Sequence, residues 1–355
     1  MGLQAKFKEF EEKIRLTWSD EKLKTIREKD TSIQGDIKLA FKDKGYPVLY
    51  FFQQGSYATQ TCIEPLNEGD DYDIDVGVVI SKSTAPDNPV DVKKTLRDVL
   101  KDRNFKNPKI KMPCVTAQYY NQGEKRFHLD YPIYSKIDAS SFYLAIGKEN
   151  SGDEIRNWEK GDPKGLIDWL NDQSSFSGEE YYAQYKRLVR YLKRWRDYSF
   201  STADRKKVYS IGLTVMLKRS FKGNTFKGNI SFDGENNDLE CLLNTTKAIL
   251  NDGYFKQVGY DEEYNPQYEI CVTLPVEPWR DIFTKHGKTL GTSMYNKFKV
   301  LIDNLEKVKL EQSLKKQCKI LANDVFGSDF PIPANDISEN MRFKEPGFIA
   351  SPQGA

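Results

Sequence analysis

The sequence predicts an α+β fold with two lobes, in which N-terminal helices and a mixed sheet are followed by a largely helical part. Apolar residues recur at helical spacing over residues 3–18. Apolar runs with alternating polar residues then fill residues 48–134, as expected for strands. Helical periodicity returns beyond Asp162. The divisions expected from this change are a sheet-containing lobe at 1–160, a helical lobe at 161–327 and a tail at 328–355.

The first lobe is expected to begin with two helices and to continue with strands around one further helix. Asn88 and Pro89 mark the start of that helix, because Asn caps helix N-termini and Pro fits the first helical position. The predicted helices of this lobe are 3–18 and 20–44, and its predicted strands are 48–53, 72–80, 110–120 and 125–134. In the second lobe we expect a short helix after Asp162 and longer helices at 178–198, 209–220, 238–252 and 293–323.

The composition is that of a folded chain without a strongly basic surface. Charged residues make up 30% and aromatic residues 13%, as in a soluble globular protein. The formal net charge of +2 argues against a protein that coats DNA or RNA non-specifically. No apolar run is long enough to cross a membrane, and we therefore expect no membrane span. The five cysteines include no C-x-x-C pair and the N-terminus lacks a secretion signal, which predicts reduced thiols and a cytoplasmic location.

The segment YDIDVGVVI, residues 72–80, carries the most informative pattern. Alternate side chains of a strand face the same side, so one face of this strand is apolar and the other carries Asp73 and Asp75. Two carboxylates on one face repel each other, and a bound divalent cation would relieve that repulsion. Mg²⁺ prefers such oxygen ligands, usually together with substrate phosphates. The segment therefore predicts a metal site.

A third aspartate follows on a later strand with the same alternation. In KRFHLDYPIY, Asp130 lies on the polar face, whereas Phe127, Leu129 and Tyr131 form the apolar face. If this strand and YDIDVGVVI are neighbours, three carboxylates converge. Two metal ions about 3.5–4 Å apart could then hold the attacking and leaving oxygens of an in-line displacement.

The turn QGSY, residues 54–57, comes directly after the strand VLYFFQ. Gly55 lets the backbone approach a phosphate closely, Ser56 supplies a hydroxyl, and the amides of such a turn can bind an anion. A Gly-Ser alone is usually only a turn, and an Asp-x-Asp alone is usually a solvated strand face. Asp130 alone could be an ion-pair partner of Arg126 or of a lysine. The ordered combination of all three favours a site for metal and phosphate.

The motifs GSY, YDIDVGV and HLDYPIY together resemble the polymerase-β-like nucleotidyltransferases. Within that superfamily the chain is most similar to the bacterial CD-NTases, the cGAS/DncV-like nucleotidyltransferases of antiphage CBASS systems, and the likeness extends over most of the chain. The resemblance implies a bilobed polymerase-β-like fold and synthesis of a cyclic di- or trinucleotide from ATP, GTP or other nucleoside triphosphates. It also implies two Mg²⁺ or Mn²⁺ ions per active site, bound by the catalytic residues Asp73, Asp75 and Asp130. The first two would bind both ions, and Asp130 would bind one and help to activate the acceptor hydroxyl.

The resemblance further implies contacts to the donor nucleotide. Gln54, Gly55 and Ser56 would bind it, the last two at its triphosphate. In VYSIGL, residues 208–213, Ser210 would contact phosphate, and Tyr209 would stack on the donor base unless it belongs to the core.

The helix LVRYLKRW, residues 188–195, is also similar to the family's helical lobe, and its Lys193 would reach the donor phosphates. Lys186, Arg190 and Lys193 share one helix face by their spacing. A basic stripe of this kind is usually solvated, but opposite three aspartates it could clamp phosphate.

Two further functions remain compatible with the sequence. The same triad would serve a template-independent nucleotidyltransferase that acts on RNA ends or on a protein hydroxyl. A non-catalytic interaction protein could instead use the acidic cluster to bind a basic partner. Neither a zinc insertion nor a long basic surface is visible, so we expect no dependence on a nucleic acid activator.

The chain ends FKEPGFIASPQGA, and a terminus of this composition is often only a frayed end. The family offers another interpretation, because in some CBASS operons an E1/E2-like accessory enzyme adenylates the C-terminal carboxylate and conjugates it to a target. Such chemistry needs an extended end with a small last residue. The hypothesis is that Ala355 becomes the acyl donor to such a partner.

Overall fold

The structure, a computed structural model, describes seven stretches of the chain: residues 2–17, 19–66, 72–103, 105–121, 124–138, 141–223 and 237–334. In this part of the chain the first lobe contains the helices α1 (Leu3–Ile14), α2 (Glu21–Asp43), α3 (Gly55–Ala58) and α4 (Pro89–Asp102). Its mixed sheet has the strands β1 (Val48–Gln53), β2 (Tyr72–Ser81), β3 (Lys106–Ile110), β4 (Val115–Asn121), β5 (Glu124–Tyr131), β6 (Ile133–Lys136), β7 (Phe142–Ala145) and β8 (Trp158–Gly161).

Strand β2 occupies the middle of this sheet. It pairs with β5 and β6 in parallel and with β1 in antiparallel orientation. In the pairing with β5, Asp73 lies opposite His128 and Asp75 lies opposite Asp130. The two aspartate-bearing strands predicted from the sequence are therefore direct neighbours.

The alternation predicted for β2 is confirmed where its side chains are described. Ile74, Val76, Val78 and Ile80 are at most 2% exposed and pack beneath α2 and α4. Burial of four large aliphatic side chains contributes roughly 1.5–3 kcal/mol each and fixes which face of the strand is turned to the core. The start of α4 is also as predicted, since the Asn88 side chain accepts a hydrogen bond from the amide of Val90 at 3.1 Å.

The second lobe is mostly helical and continues directly from β8. Its helices are α5 (Pro163–Asn171), α6 (Glu179–Ser199), α7 (Thr202–Arg205), α8 (Ser210–Ser220), α9 (Asp238–Asn251), α10 (Gly287–Leu310) and α11 (Leu314–Ile320), with the hairpin β9 (Phe255–Tyr260) and β10 (Pro266–Ile270) between α9 and α10. None of the helices in the described stretches combines the length and apolar character that a membrane crossing requires.

The first helix belongs to the core of the second lobe, which differs from the predicted division at residue 160. The rings of Phe7 and Phe10 each lie 5.5 Å from the ring of Tyr191 on α6, and both pack against Phe330. The helix also ends at Ile14 rather than at residue 18, because Arg15 is extended and forms a β-bridge with Ile63.

Other differences from the predicted elements arise where strands are short or where a helix is interrupted. The strands β7 and β8 have four residues each, too few for a visible alternation, and were not predicted. The helix predicted at 293–323 begins earlier, at Gly287, and is interrupted after Leu310. Ser313 then caps α11 by accepting a hydrogen bond from the Lys316 amide. The QGSY turn is a single helical turn, α3.

Candidate functional site

Two aspartates lie side by side on neighbouring strands of the mixed sheet. Asp75 and Asp130 are register partners in the parallel pair of β2 and β5, and such partners lie about 5 Å apart across a sheet. Both side chains are partly buried. The backbone of Asp73 lies two residues earlier on the same strand, while its side chain falls outside the described part of the chain. The sheet therefore aligns Asp75 and Asp130 on two adjacent strands.

The Asp130 carboxylate is oriented by two neighbours that sequence alone did not single out. One oxygen accepts a short hydrogen bond from the hydroxyl of Thr116 on β4. The other lies 3.5 Å from the Lys111 ammonium. Because the Lys111 side chain is half exposed, this ion pair contributes at most about 1 kcal/mol. A lysine partner for Asp130 was one of the alternatives left open by the sequence, and it coexists with the alignment to Asp75.

The turn after β1 is packed directly against Asp75. Gly55 has a φ of +59°, and a Cβ placed on it would lie 2.1 Å from Oδ2 of Asp75. The amide of Gln54 also donates to the backbone carbonyl of Asp75 at 2.9 Å. Glycine avoids both the strain of this backbone conformation and an overlap that would force the Asp75 carboxylate to move. The structure thus brings the predicted Gly-Ser turn and the aspartate strand together.

A cleft of about 470 Å³ opens between the lobes at this point. This volume lies in the range of small-molecule sites in proteins. From the first lobe its walls include Gln54, Gly55, Ser56, Thr59, Thr61, Asp75 and Tyr134. From the second lobe they include Lys193, Ser210, Thr214 and residues of α5 and of the segment 274–280.

Lys193 reaches the cleft from α6, but it is already bound to protein. Its ammonium donates to the carbonyl of Thr61 at 2.8 Å and to the hydroxyl of the same residue at 3.2 Å. Burial lowers the pKa of Lys193 to about 8. Lys193 is therefore held at the wall of the cleft by a neutral partner, Thr61, and a phosphate that enters the cleft would lie near this side chain.

The basic stripe of α6 is neither solvated nor free. Lys186, Arg190 and Lys193 are all under 9% exposed, and each donates to a backbone carbonyl in the segment 59–61. The prediction that these residues share one helix face is confirmed. What that face contacts is the backbone that follows the Gly-Ser turn, a partner that side-chain spacing does not reveal.

The two residues predicted at the start of α8 have different positions. Ser210 lines the cleft and accepts a short hydrogen bond from Arg196. Tyr209 stacks on Phe283, with ring centroids 5.8 Å apart, and is not among the described residues that line the cleft. Packing in the second lobe covers one face of Tyr209 with Phe283, and stacking of this ring on a donor base stays a prediction.

Several cleft residues were missed by the sequence analysis. Lys160 pairs with Glu277 at 3.0 Å, and Arg280 pairs with Glu159 at 2.7 Å, so two ion pairs join β8 to the segment 274–280 across the cleft. The hydroxyl of Tyr134 accepts a hydrogen bond from Gln54 at 3.0 Å. No motif marks the residues of these ion pairs, since their partners are more than 100 positions apart.

Comparison with known proteins identifies the domain that contains this site. The family model of the nucleotidyltransferase domain of DncV-like cyclic GMP-AMP synthases matches residues 49–134. This part of the chain is thus similar to a DncV-like nucleotidyltransferase domain. The matched range contains the Gly-Ser turn and all three predicted aspartates, and the resemblance to the CD-NTases is thereby confirmed.

Relatives of the DncV-like domain extend the likeness beyond that range. A cyclic GMP-AMP synthase of Escherichia albertii is 32% identical over 180 residues, which are 48% of this chain and 37% of the relative. The match therefore spans little more than a third of that protein's length.

Solved structures show the same fold over most of the chain. Vibrio cholerae DncV in its 3′-deoxy GTP bound form has a TM-score of 0.62 and 18% identity, covering 90% of this chain and 92% of that one. The CdnC:HORMA-deltaN complex of E. coli MS115-1 has a TM-score of 0.62 and 17% identity, covering 92% and 98%. The predicted bilobed α+β fold is confirmed.

Proposed function

We propose that this chain is a metal-dependent nucleotidyltransferase that joins nucleoside triphosphates into a cyclic di- or trinucleotide. One observation carries the proposal: Asp75 and Asp130 lie in register on adjacent strands, with the turn at Gly55 packed against Asp75. Asp75 lines the interlobe cleft, and both aspartates lie in the range matched by the DncV-like family model. This arrangement supplies carboxylates for metal ions and a glycine turn for phosphate in the same place.

The residues present fit a pair of Mg²⁺ or Mn²⁺ ions. Asp75 projects a carboxylate oxygen into the space beside Gly55, and Asp130 keeps its carboxylate partly exposed. Hard oxygen donors of this kind suit both ions. Asp73 and Asp75 would bind both ions and Asp130 one of them. When bound, such a pair neutralises charge on the attacking and leaving oxygens.

The roles of the chain's own residues follow from their positions. Gly55 and Ser56 would hold the donor triphosphate at the wall formed by β1 and α3, with Gln54 beside them. Lys193 and Ser210 face them from the second lobe and would contact phosphate oxygens. Asp130, held by Thr116, would accept the proton of the acceptor hydroxyl as that oxygen attacks the α-phosphorus and the bond to the β-phosphate breaks, releasing pyrophosphate.

Cyclic product formation is supported by the relatives rather than by a residue of this chain. Vibrio cholerae DncV has been solved with the linear intermediate 5′ pppA(3′,5′)pG, and CdnC of E. coli MS115-1 with ATP. By analogy, ATP, GTP or other nucleoside triphosphates would be the substrates here. If every phosphodiester bond of the ring forms in this one cleft, synthesis needs no RNA or other polymer as acceptor.

The proposal also includes a role in antiphage defence, a cytoplasmic location and independence from a nucleic acid activator. The CdnC:HORMA-deltaN complex shows that a similar protein can assemble with a second one. The proposed conjugation of Ala355 by an E1/E2-like partner concerns a residue outside the described part of the chain.

The direct test is to incubate the purified chain with the four nucleoside triphosphates and Mg²⁺ or Mn²⁺, without polymer or protein acceptor. We expect a small product that resists phosphatase and whose mass equals two or three nucleotide monophosphates joined in a ring. Product that forms only when an RNA or a protein is added would support the template-independent alternative instead. A chain that binds no ATP with either metal ion would favour the non-catalytic alternative.

A further inference from the structure

The segment 54–61, here called the turn segment, has every backbone carbonyl engaged. The carbonyls of Gln54, Gly55, Ser56 and Tyr57 accept from amides within the segment at 2.8–3.2 Å. The next four carbonyls accept from side chains of the second lobe: Ala58 from Asn171, Thr59 from Lys186, Gln60 from Arg190 and Thr61 from Lys193. The first half of the segment is thus held by itself, and the second half is held by α5 and α6.

Lys186 and Asn171 form the part of this contact nearest to the Gly-Ser turn. The Lys186 ammonium donates to the Thr59 carbonyl at 2.6 Å and to Oδ1 of Asn171 at 2.7 Å. Asn171 in turn donates through Nδ2 to the carbonyl of Ala58 at 3.3 Å. Because the last carbonyls of a helix have no partner within it, these two side chains complete the end of α3 from the other lobe.

The opposite end of α3 lies beside β2. Gly55 is next to the Asp75 carboxylate, where a methyl group would overlap Oδ2. A shift of α3 toward β2 would therefore require the Asp75 carboxylate to move, and a shift away from β2 is opposed by Lys186 and Asn171. The position of Ser56 is set between these two contacts.

We propose that Lys186 and Asn171 are positioning residues for the donor triphosphate, which they place by fixing the turn segment from the helical lobe. The inference deepens the proposed function, since it rests on the triphosphate as the ligand of Gly55 and Ser56. Neither residue needs to touch the nucleotide. Lys186 is 8% exposed, and both of its hydrogen-bond partners are neutral oxygens, so its contacts serve the backbone rather than an ion pair.

The variants Lys186→Met and Asn171→Ala test this role in the full-length chain. Each removes a side-chain contact to the end of α3 while leaving Gly55, Ser56 and Lys193 unchanged. We expect each variant to bind a non-hydrolysable ATP analogue, with Mg²⁺, about tenfold more weakly than the wild type. Without nucleotide, amide hydrogen exchange should become faster in residues 55–61.

A matched control is Arg187→Lys on the same helix. Arg187 is the neighbour of Lys186, but its guanidinium binds Asp238 of α9 through two hydrogen bonds of 2.7 Å. The change weakens α6 packing without a contact to the turn segment. It should lower the melting temperature while leaving analogue affinity and exchange in residues 55–61 as in the wild type.

The outcomes separate this inference from the proposed function. Wild-type affinity and exchange in both Lys186→Met and Asn171→Ala would overturn the positioning role, as would an equal loss of affinity in Arg187→Lys. The exchange comparison needs neither nucleotide nor product, so it decides the contact to the turn segment even if the wild-type chain makes no cyclic product. Failure of synthesis by the wild type would instead overturn the proposed function.

Discussion

The acidic and basic sides of the cleft are built in opposite ways. The aspartates sit on strands, where alternation determines their face and a register match aligns Asp75 with Asp130. The cations sit on α6, where Lys186 and Lys193 are buried against backbone carbonyls of another lobe. The carboxylates of Asp75 and Asp130 remain partly exposed, whereas Lys186 and Lys193 are buried against main-chain oxygens. Charged residues on a regular motif can therefore stay accessible in one lobe and serve a structural contact in the other.

The largest effect should come from the acidic side. Changing Asp73 and Asp75 together to Asn should reduce cyclic product formation by at least about a thousandfold, because the ligands for both metal ions are lost. The fold should remain, and stability without metal should rise, because like charges are removed. Product quantification by mass spectrometry and a thermal melt check both statements.

Asp98→Asn provides the control for that double change. Asp98 lies on α4, is 57% exposed and pairs with Arg97, so its removal should leave synthesis unchanged. Near wild-type synthesis by the double Asp73, Asp75 variant would show that the catalytic carboxylates are elsewhere.

The second prediction concerns the contact between the turn and the acidic strand. Gly55→Ala should lower activity by about a hundredfold, because its methyl group would meet Oδ2 of Asp75 and displace either the turn or the carboxylate. Steady-state kinetics with ATP and GTP measure the loss.

Gly45→Ala is a matched control for the free-energy cost of placing alanine at a positive φ. Gly45 also has a positive φ, +87°, but nothing lies within 4 Å of a Cβ placed there. This variant should lose about 1 kcal/mol of unfolding free energy and keep its activity. If the two alanine variants lose activity equally, left-handed backbone strain rather than proximity to Asp75 explains the result.

The contrast between aspartates on strands and cations on a helix also explains which features could be predicted from the sequence and which could not. Alternation predicted β2 and β5 with their aspartates, since a strand's period of two is visible in nine residues. Helical spacing predicted that Lys186, Arg190 and Lys193 share a face, yet it could not show that each binds a main-chain oxygen more than 120 residues earlier, nor that Arg190 also pairs with Glu11 at 2.5 Å. The strands β7 and β8 and the Glu159–Arg280 pair were missed for the same reason, because their local sequence carries no period and their contacts are made only in the folded chain.

A third prediction tests whether any side chain on the basic side of the cleft contacts the bound nucleotide. Ser56→Ala combined with Lys193→Ala should weaken affinity for a non-hydrolysable ATP analogue by at least about a hundredfold, since two charge-assisted hydrogen bonds are lost at roughly 1.5–3 kcal/mol each. Isothermal titration with Mg²⁺ present gives the affinity. Lys247→Met, which removes a half-exposed lysine paired with Glu306 on α10, should bind as the wild type does. Unchanged affinity in the double variant would remove the proposed phosphate contacts.

The smallest predicted effect is a pH dependence of stability from the basic side. Burial lowers the pKa of Lys186 to about 7, with further lowering by nearby cations, from 10.5 for an exposed lysine. Between these values the unfolded chain binds a proton that the folded chain has lost, so raising the pH stabilises the folded state. The wild-type unfolding free energy should therefore rise with pH above about 7, relative to Lys186→Met, by at most about 1.4 kcal/mol per pH unit. Urea unfolding of both proteins at pH 7, 8 and 9 measures the difference, and parallel pH profiles would contradict a lowered pKa at Lys186.

The most direct measurement is anomalous diffraction from crystals grown with Mn²⁺ and a non-hydrolysable ATP analogue. We predict two manganese peaks about 3.5–4 Å apart at Asp73, Asp75 and Asp130, with the triphosphate at Gly55 and Ser56. Lys186 and Arg190 should still bind the carbonyls of Thr59 and Gln60. Manganese bound away from the strand carboxylates, or Lys186 and Arg190 turned onto the phosphates, would contradict this account of the cleft.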